Sequence, residues 1–242
     1  MQVDVLSGDR VIGSITLTRD NLLTAPRSIT LEGDAIFPSD AASQQSPLSW
    51  TIRRKDGKGR LYINGLFNAY TTQDPLPAAG LNLTVKRNCY RVVPASQITA
   101  DTPLQGKRIT KGGRDELLVP LADGDTVDSG TEIEVELVFT ARHDCEYICT
   151  TDPRPAGCES TLPLSGYGFG DHVSYYQEPR DEESRFYFNW IPKGEHTITY
   201  RLRAERPGFF RNMPTVVEAM YAPELRGNAR ESSLKIDESS HE

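Results

Sequence analysis

Several common sequence features are missing, and each absence excludes a class of protein. No run of about 18 apolar residues occurs, so the sequence predicts no membrane-spanning helix and no membrane insertion. The 242 residues carry 34 acidic against 27 basic side chains, a formal net charge of −7. Because nucleic-acid affinity rests on clustered Lys and Arg, we expect no nucleic-acid partner.

The start of the sequence carries no export signal. The first ten residues, MQVDVLSGDR, have neither the basic nor the apolar segment of a secretory signal peptide. The four cysteines are nevertheless compatible with an exported protein, where disulfides form. If the chain is exported, we therefore expect it to be a segment of a longer protein.

Only four histidines are present, and none has a catalytic sequence context. His143 and His172 lie in predicted loops, and His241 lies in the polar C-terminal tail. We expect His196 on the outward face of a strand. No Gly-x-Ser-x-Gly elbow is found, and the acidic run at 181–183 is typical of a solvated turn. The sequence thus predicts no catalytic residue, no cofactor and no enzyme activity.

The spacing of the cysteines does not match a structural zinc site. Cys145, Cys149 and Cys158 follow the pattern Cys-x3-Cys-x8-Cys, without Cys-x2-Cys knuckles, so we expect no metal. Residues four apart in a strand are about 13 Å apart, too far for Cys145 to reach Cys149. We predict a disulfide from Cys149 to Cys158 across the loop at 152–157, with free buried thiols as the alternative.

Alternating apolar and polar residues predict strands in many places. In 131–139 the apolar residues fall at every second position with glutamates between them, and 196–204 repeats the pattern with Thr and Arg. Nothing longer than one or two turns shows a helical period. Many short strands with frequent turns predict an all-β fold of two antiparallel β-sandwich domains with little helix.

The same alternation gives more specific predictions for single segments. In 185–191 the aromatic residues through Trp190 share one face, and the turn at 191–195 is typical of a hairpin that joins this strand to the next.

Shorter alternating runs in the first third predict two further strands. Leu48, Trp50 and Ile52 share one face, and Leu61 and Ile63 share another.

A domain boundary is predicted in the proline-rich segment at 74–80. Two prolines remove backbone donors there and stiffen the chain. We therefore divide the sequence into a first β-domain at 1–79 and a second at 80–235, followed by a polar, flexible tail at 236–242.

The glycine-rich segment at 165–170 lacks the Gly-Lys-Ser/Thr of a phosphate-binding loop. We predict an aromatic and glycine-rich loop at the edge of a sandwich. Its aromatic residues and two nearby tyrosines form a candidate contact surface or, alternatively, a sugar-binding platform: Tyr167, Phe169, Tyr175 and Tyr176.

Two stretches of sequence carry a family resemblance. The first contains GRLYIN at 59–64, FNAY at 67–70, PAAGL at 77–81 and VKR at 85–87. The second contains DPRPAGCE at 152–159, RFYF at 185–188, IPKG at 191–194 and AMYAPELRG at 219–227. Together these motifs resemble the C-terminal region of bacterial alpha-2-macroglobulins, over about residues 55–230.

The resemblance implies a domain organisation and a contact surface. Residues 1–79 would complete a CUB-type β-domain, and residues 80–235 would form the terminal macroglobulin-like sandwich, the counterpart of the receptor-binding domain in animal relatives. In this family a thioester acylates attacking proteases, and the terminal domain packs near the thioester and helps to keep it from water. The resemblance adds Met220, Tyr221 and Glu224 to the candidate contact surface.

The thioester motif of the family, Cys-x-Glu-Gln, is absent, because Cys158 and Glu159 are followed by Ser and Thr. We therefore expect a non-catalytic module of a protease-trapping protein, exported to the periplasm, cell envelope or medium. Its expected partners are the thioester and neighbouring macroglobulin domains, with proteases engaged only indirectly. The alternative is a carbohydrate-binding or adhesive β-sandwich of an envelope protein.

Overall fold

The computed structural model describes residues 1–21, 24, 28–31, 50–63, 65, 73–98 and 106–239. The chain divides into two compact units, Met1–Asn64 and Gly65–Glu242. The described residues form strands and one short 3-10 turn at Ala95–Gln97, which confirms the all-β prediction. No helix in these ranges is long and apolar enough to cross a membrane.

The described part of the first unit is a three-stranded antiparallel sheet. Its strands are β1 (Gln2–Ser7), β2 (Arg10–Thr16) and β3 (Trp50–Arg54), in the order β2-β1-β3. Asp4 of the central strand is buried, and its carboxylate accepts a hydrogen bond from Ser14 at 2.7 Å and pairs with Lys55 at 2.6 Å.

The strand predicted around Leu61 and Ile63 is wrong, because residues 60–63 have no regular structure and Ile63 is exposed. Leu48, and the FNAY motif at 67–70, lie outside the described residues.

The second unit contains sixteen strands in its described residues. In chain order they are β4 (Ala79–Gly80), β5 (Leu83–Pro94), β6 (Lys107–Lys111), β7 (Arg114–Leu121), β8 (Thr126–Asp128), β9 (Glu132–Ala141), β10 (Cys145–Pro153), β11 (Cys158–Ser160), β12 (Gly166–Phe169), β13 (Ser174–Pro179), β14 (Glu183–Ile191), β15 (Gly194–Ala204), β16 (Gly208–Asn212), β17 (Val216–Ala219), β18 (Ala222–Asn228) and β19 (Ser232–Asp237).

These strands build a β-sandwich. One sheet has seven strands in the order β12-β13-β14-β10-β17-β18-β4, and the other has six in the order β11-β15-β9-β5-β7-β6. A third, three-stranded sheet, β16-β19-β8, contains a parallel pair between β19 and β8. All other strand pairs described in the chain are antiparallel.

The core between the two large sheets consists of the apolar residues that the alternating sequence pattern predicted to face inward. Along β9 every second residue from Ile133 to Phe139 is buried. The residues of β15 that pair with them across the sheet are buried as well. Phe139 meets Phe188 of the other sheet edge to face, with ring centroids 5.3 Å apart. Burial of these side chains is the main force that holds the sheets together.

The predicted hairpin between β14 and β15 does not exist. β14 pairs with β10 and β13 in the seven-stranded sheet, whereas β15 pairs with β9 and β11 in the six-stranded sheet. The connection is an arch that crosses from one sheet to the other. Gly194, with a φ of 134°, supplies the backbone conformation at this crossing that a residue with a Cβ rarely adopts.

Two side chains at this crossing differ from prediction. Trp190 is not on the inward face and is 45% exposed, because the alternation of β14 shifts by one residue at its end and Ile191 takes the buried position. His196 is buried rather than outward, since it is in phase with Ile198. Its ring nitrogens lie 3.2 Å from the carbonyl oxygen of Asp171 and 2.8 Å from that of Pro192.

The described residues before β4 are tied to the second unit. Asp74 pairs with Arg211 at 2.5 Å, and the amide of Leu76 donates to Glu231 at 2.9 Å. The segment at 74–79 therefore belongs with the second sandwich rather than with residues 1–64. At the other end, β19 continues through Asp237 with Ile236 buried, so the first two residues of the predicted tail lie in a strand.

The packing of Phe139 gives a stability prediction. Phe139→Ala removes a fully buried ring between the sheets and should lower the free energy of unfolding by about 3–5 kcal/mol. Phe169→Ala is the matched control, because this ring is 83% exposed and its loss should change stability by no more than about 0.5 kcal/mol. Urea unfolding followed by fluorescence measures both; equal effects would contradict the described core.

Candidate functional site

The outer face of the seven-stranded sheet and its end carry an exposed aromatic surface. We call it the aromatic face, and its members, all more than a third exposed, are Tyr147, Tyr167, Phe169, Tyr176, Met220 and Tyr221. Single exposed apolar residues are common on protein surfaces, but several on one sheet face are typical of an interaction site.

The glycine-rich segment predicted as a loop is the edge strand β12. Its glycines face inward, and its aromatic residues Tyr167 and Phe169 face outward with exposures of 84% and 83%. A side chain at Gly168 would place its Cβ 2.5 Å from the ring of Tyr175. The glycine therefore makes room for a core tyrosine beneath the strand.

Tyr175 does not belong to the contact surface. It is 7% exposed and points into the core, where its ring centroid lies 5.6 Å from that of Phe186. Adjacent residues of a strand point to opposite faces, so Tyr176 is on the outside while Tyr175 is inside. The structure thus separates two tyrosines that the sequence placed in one candidate group.

Tyrosines form a row across the first three strands of this sheet. Tyr167 pairs with Tyr176, which pairs with Tyr187, and Tyr187 pairs with Cys149 of β10. The Tyr167 and Tyr176 rings meet at 5.1 Å with an angle of 70° between their planes. The Tyr187 hydroxyl donates to Glu178 at 3.0 Å. Cross-strand neighbours of this kind give the face a fixed shape.

The second part of the aromatic face lies at the β17–β18 turn. Met220 and Tyr221 form this two-residue turn, and the Tyr221 ring meets Tyr147 edge to face at 5.4 Å. The Met220 amide donates to the Tyr147 carbonyl at 2.9 Å. Tyr147 has a φ of 53°, a left-handed conformation that is costly for a bulky residue. Glu224 is exposed on β18, beyond the turn.

The outer face of the six-stranded sheet differs from the aromatic face, because it carries charged side chains that form ion pairs within the sheet. Arg201 binds Glu134 at 3.0 Å and Glu132 at 3.3 Å, and also Glu116. These hydrogen bonds raise the pKa of Arg201 and lower that of Glu116. Among the described residues, this face has no comparable aromatic surface.

A buried ion pair connects the two large sheets beneath these faces. Arg87 of β5 donates to Asp152 of β10 at 2.6 Å, and both side chains are almost completely buried. The Asp152 carboxylate also accepts hydrogen bonds from Tyr200 at 2.6 Å and Thr215 at 2.7 Å. Burial opposes the charge on Arg87, but the Asp152 carboxylate outweighs it, and the pKa of Arg87 is raised.

This ion pair was missed in the sequence, although the sequence contains a signal for it. Arg87 lies in phase with the buried Leu83 and Val85, and Asp152 lies in phase with the buried Ile148. A charged residue in the apolar phase of a strand requires a buried partner. The pattern identifies each residue as unusual, but it does not show that the two meet.

The predicted disulfide is wrong, since all four cysteines are free thiols. Cys149 is on the outer face of the seven-stranded sheet, paired with Tyr187. Cys158 is buried on β11 of the other sheet. Burial raises the pKa of Cys89 to about 11 and that of Cys158 to about 12. Cys145, Cys149 and Cys158, whose spacing was compared with that of a zinc site, do not form a cluster. No metal-binding cluster of His, Cys, Asp or Glu occurs among residues the structure describes.

The second unit belongs to the class of macroglobulin-type β-sandwich domains. The family described as "Bacterial Alpha-2-macroglobulin MG10 domain" matches residues 83–224, more than half of the chain. The chain therefore belongs to the bacterial alpha-2-macroglobulin family.

In solved structures, the region that matches this chain is a small part of a much longer protein. The native conformation of Escherichia coli alpha-2-macroglobulin is 21% identical over 69% of this chain and 10% of its own, with a TM-score of 0.50. Salmonella alpha-2-macroglobulin reacted with methylamine is 20% identical over 69% and 10%, with a TM-score of 0.48. The chain thus spans about a tenth of the length of these relatives. No curated protein sequence matches it significantly.

The buried ion pair generates a second prediction. Asp152→Asn leaves the Arg87 charge buried without a counter-charge and should cost about 3–5 kcal/mol of stability. Glu178→Gln, at the more exposed pair with Arg180, is the matched control and should cost at most about 1 kcal/mol. Chemical denaturation gives both values. A cost for Asp152→Asn no larger than the control would refute the importance of the pair.

The raised thiol pKa values predict a loss of stability at alkaline pH. The unfolded thiols ionise near pH 9, whereas Cys89 and Cys158 in the folded chain stay neutral until about 11 and about 12. The contribution of these two thiols to the free energy of unfolding is complete below pH 9 and declines above it. We expect the free energy of unfolding to fall between pH 9 and 10, and to fall less in a Cys89→Ala and Cys158→Ala double variant. An identical decline in the variant would contradict the assignment.

Proposed function

We propose that this chain is a non-catalytic C-terminal module of a protease-trapping protein of the bacterial alpha-2-macroglobulin family. Its aromatic face packs against the thioester domain of the full-length protein and shields the thioester from water. The first unit, Met1–Asn64, forms part of a CUB-type domain, and proteases are engaged only indirectly. Such a protein acts outside the cytoplasm, in the periplasm, cell envelope or medium.

The observation that carries the proposal is the contrast between the two outer faces of the sandwich. The six-stranded sheet presents an ion-pair network around Arg201, whereas the seven-stranded sheet exposes Tyr167, Phe169 and Tyr221 to solvent. Aromatic residues are enriched at the centres of protein interfaces because they bury large areas with few rotatable bonds. The aromatic face is therefore the side that a neighbouring domain covers.

The chemistry of the trap requires a removable shield rather than a reacting group on this module. A thioester forms from a Cys sulfur and a Gln carbonyl, and after Cys158 the position that holds the Gln in the Cys-x-Glu-Gln motif is Thr161. The thioester then belongs to a neighbouring domain. A rigid face of several edge-to-face rings excludes water when docked and separates as a unit when bait cleavage changes the conformation.

The geometry is less favourable to the carbohydrate-binding alternative. A sugar platform needs flat ring faces, but the Tyr167 and Tyr176 rings meet at 70° and the Tyr147 and Tyr221 rings at 83°. Tyr175 is in the core and contributes nothing to such a platform. Selective glycan binding that is lost in Tyr176→Ala would favour this alternative.

The proposal predicts a faster loss of the thioester when the aromatic face is altered. In the full-length protein, replacing Tyr167, Phe169 and Tyr221 by Ser should expose the thioester to methylamine. Truncating a central interface aromatic costs about 2 kcal/mol, so the undocked population and the rate of thiol release should rise at least about tenfold. Thiol release is measured with a chromogenic disulfide reagent after methylamine addition.

The control is a variant of the opposite face. Arg203→Ser removes a charge that pairs with Glu132 at 3.1 Å on the six-stranded sheet and should leave thiol release at the wild-type rate. Thermal unfolding must be similar for both proteins. Unchanged thiol release in the aromatic variant, or an equal increase in both variants, would refute the proposed docking face.

A further inference from the structure

The two large sheets, as far as the structure describes them, end in four edge strands: β12 and β4 in one sheet, β11 and β6 in the other. An exposed edge offers unpaired backbone groups to other chains, so proteins protect their edges with charges, prolines or very short strands. Three of these edges are protected. β6 exposes the cations Lys107, Arg108 and Lys111, β4 has only two residues, and β11 has three with Glu159 at its centre.

The fourth edge, β12, has none of these protections. The segment from 160 to 170 contains no charged residue, and β12 itself contains no proline. Its ladder with β13 runs without a bulge. Tyr167 and Phe169 are 84% and 83% exposed, and Leu164 just before the strand is 82% exposed. An uncharged, apolar and exposed edge of this kind favours pairing with a further strand.

The backbone groups that face this free edge belong to Tyr167 and Phe169. The amide of Gly170 donates to the carbonyl of Val173 at 2.8 Å, at the end of the ladder between β12 and β13. In an antiparallel pair, residues that bond to the partner strand alternate with residues whose N–H and C=O point away from it. Gly168 therefore bonds to β13 in phase with Gly170. Tyr167 and Phe169 turn two donors and two acceptors outward, where no described strand pairs with them.

The chemistry of the edge determines the kind of partner. Two donors and two acceptors on alternate residues match the backbone of one extended strand. A charge placed against this edge would lose hydration without meeting a counter-charge in 160–170. The electrostatic complement is therefore an uncharged strand. Aromatic and β-branched side chains are favourable cross-strand neighbours for the exposed rings.

A second copy of the chain is a poorer occupant than a strand from the same polypeptide. Two copies repel each other, because each carries a net charge of −7. A strand of four residues buries far less than the roughly 1,000 Å² that a stable interface between separate proteins needs. A strand within the same polypeptide needs less area, since its effective concentration is high. This chain spans 10% of the Escherichia coli relative, and a protein of that size contains many other segments.

We propose that the free edge of β12 pairs with an uncharged, extended strand of a neighbouring domain, which adds one strand to the seven-stranded sheet. Aromatic or β-branched side chains of that strand lie beside Tyr167 and Phe169. The inference deepens the proposed function and rests on it, because it takes the chain to be one module of a longer protein. It assigns the contact to backbone groups of the edge, whereas the docking described above depends on the rings.

The first test uses the whole chain and two synthetic peptides. The probe is acetyl-Thr-Val-Thr-Val-Thr-amide with both Val residues N-methylated, which keeps the N–H groups along one edge. The control peptide is N-methylated at every residue. We expect the probe to shift the amide NMR signals of Tyr167 and Phe169, with the amides of the protected edge β6 unchanged. The control should bind about tenfold more weakly or less, the loss expected for two hydrogen bonds. Equal binding of the two peptides would overturn the proposal.

Two variants of one residue isolate the backbone donor. Tyr167→Pro removes an N–H that faces the free edge, a position at which edge strands tolerate proline. Tyr167→Thr also removes the ring but keeps the N–H and a high strand preference. We expect the probe to bind about three- to tenfold more weakly to Tyr167→Pro than to Tyr167→Thr. Equal binding would contradict the backbone contact. If Tyr167→Pro does not fold, the two peptides still decide the matter with the unaltered chain.

Hydrogen exchange identifies the source of the strand. In the full-length protein, the amides of Tyr167 and Phe169 should exchange at least about tenfold more slowly than in the 242-residue chain, with Gly168 as the internal reference. Fast exchange of both amides in a full-length protein whose thioester is shielded would refute the strand pairing and leave the docking intact. Slow exchange, together with unchanged thiol release in the aromatic variant, would support the pairing and refute the docking face. A dimer of the 242-residue chain that is lost in Tyr167→Pro, seen by light scattering, would identify a second copy and overturn the assigned occupant.

Discussion

The ion pair between Arg87 and Asp152 is the polar interaction on which the alignment of the two large sheets depends. It is the point where a charge from each large sheet meets in the interior, at 2.6 Å. Removing two charges from water is expensive, and the cost is recovered only when every remaining polar atom finds a partner. Tyr200 of β15 and Thr215, which directly precedes β17, supply two of those partners. The pair therefore fixes how the two sheets are aligned, since a shift of either strand would leave a buried charge alone.

That alignment determines what each outer face presents. When β10 places Asp152 inward, Cys149 and Tyr147 are turned outward, and the tyrosine row across β12, β13 and β14 follows from the strand register. On the other sheet the same logic places Glu134 and Arg201 outward and opposite each other. One face thus presents a network of ion pairs around Arg201, and the other presents exposed rings. Exposed rings gain more from being covered than charges that are already paired.

An unpaired nitrogen of Arg87 shows the remaining cost of this arrangement. The guanidinium has five N–H donors, and Asp152 with two carbonyl groups occupies only Nη1. The donor left on Nη2 is a consequence of using Arg at a buried position in which one carboxylate is the counter-charge. The same side chain thereby joins the sheets and leaves one buried donor nitrogen without a partner.

The sequence by itself determined the all-β class, the inward residues of β9 and β15 and the family, because alternation and short motifs are local properties of the chain. It also determined that Tyr167 and Phe169 are near a sandwich edge. It did not determine that the turn at Gly194 is an arch rather than a hairpin, because both have the same local turn chemistry. Only the tertiary structure decided that Arg87 meets Asp152, that Tyr175 is buried while Tyr176 is exposed, and that Cys149 and Cys158 are on different sheets. Each of these depends on which strands pair and which sheet covers which face, and strand pairing joins residues that are far apart in the sequence.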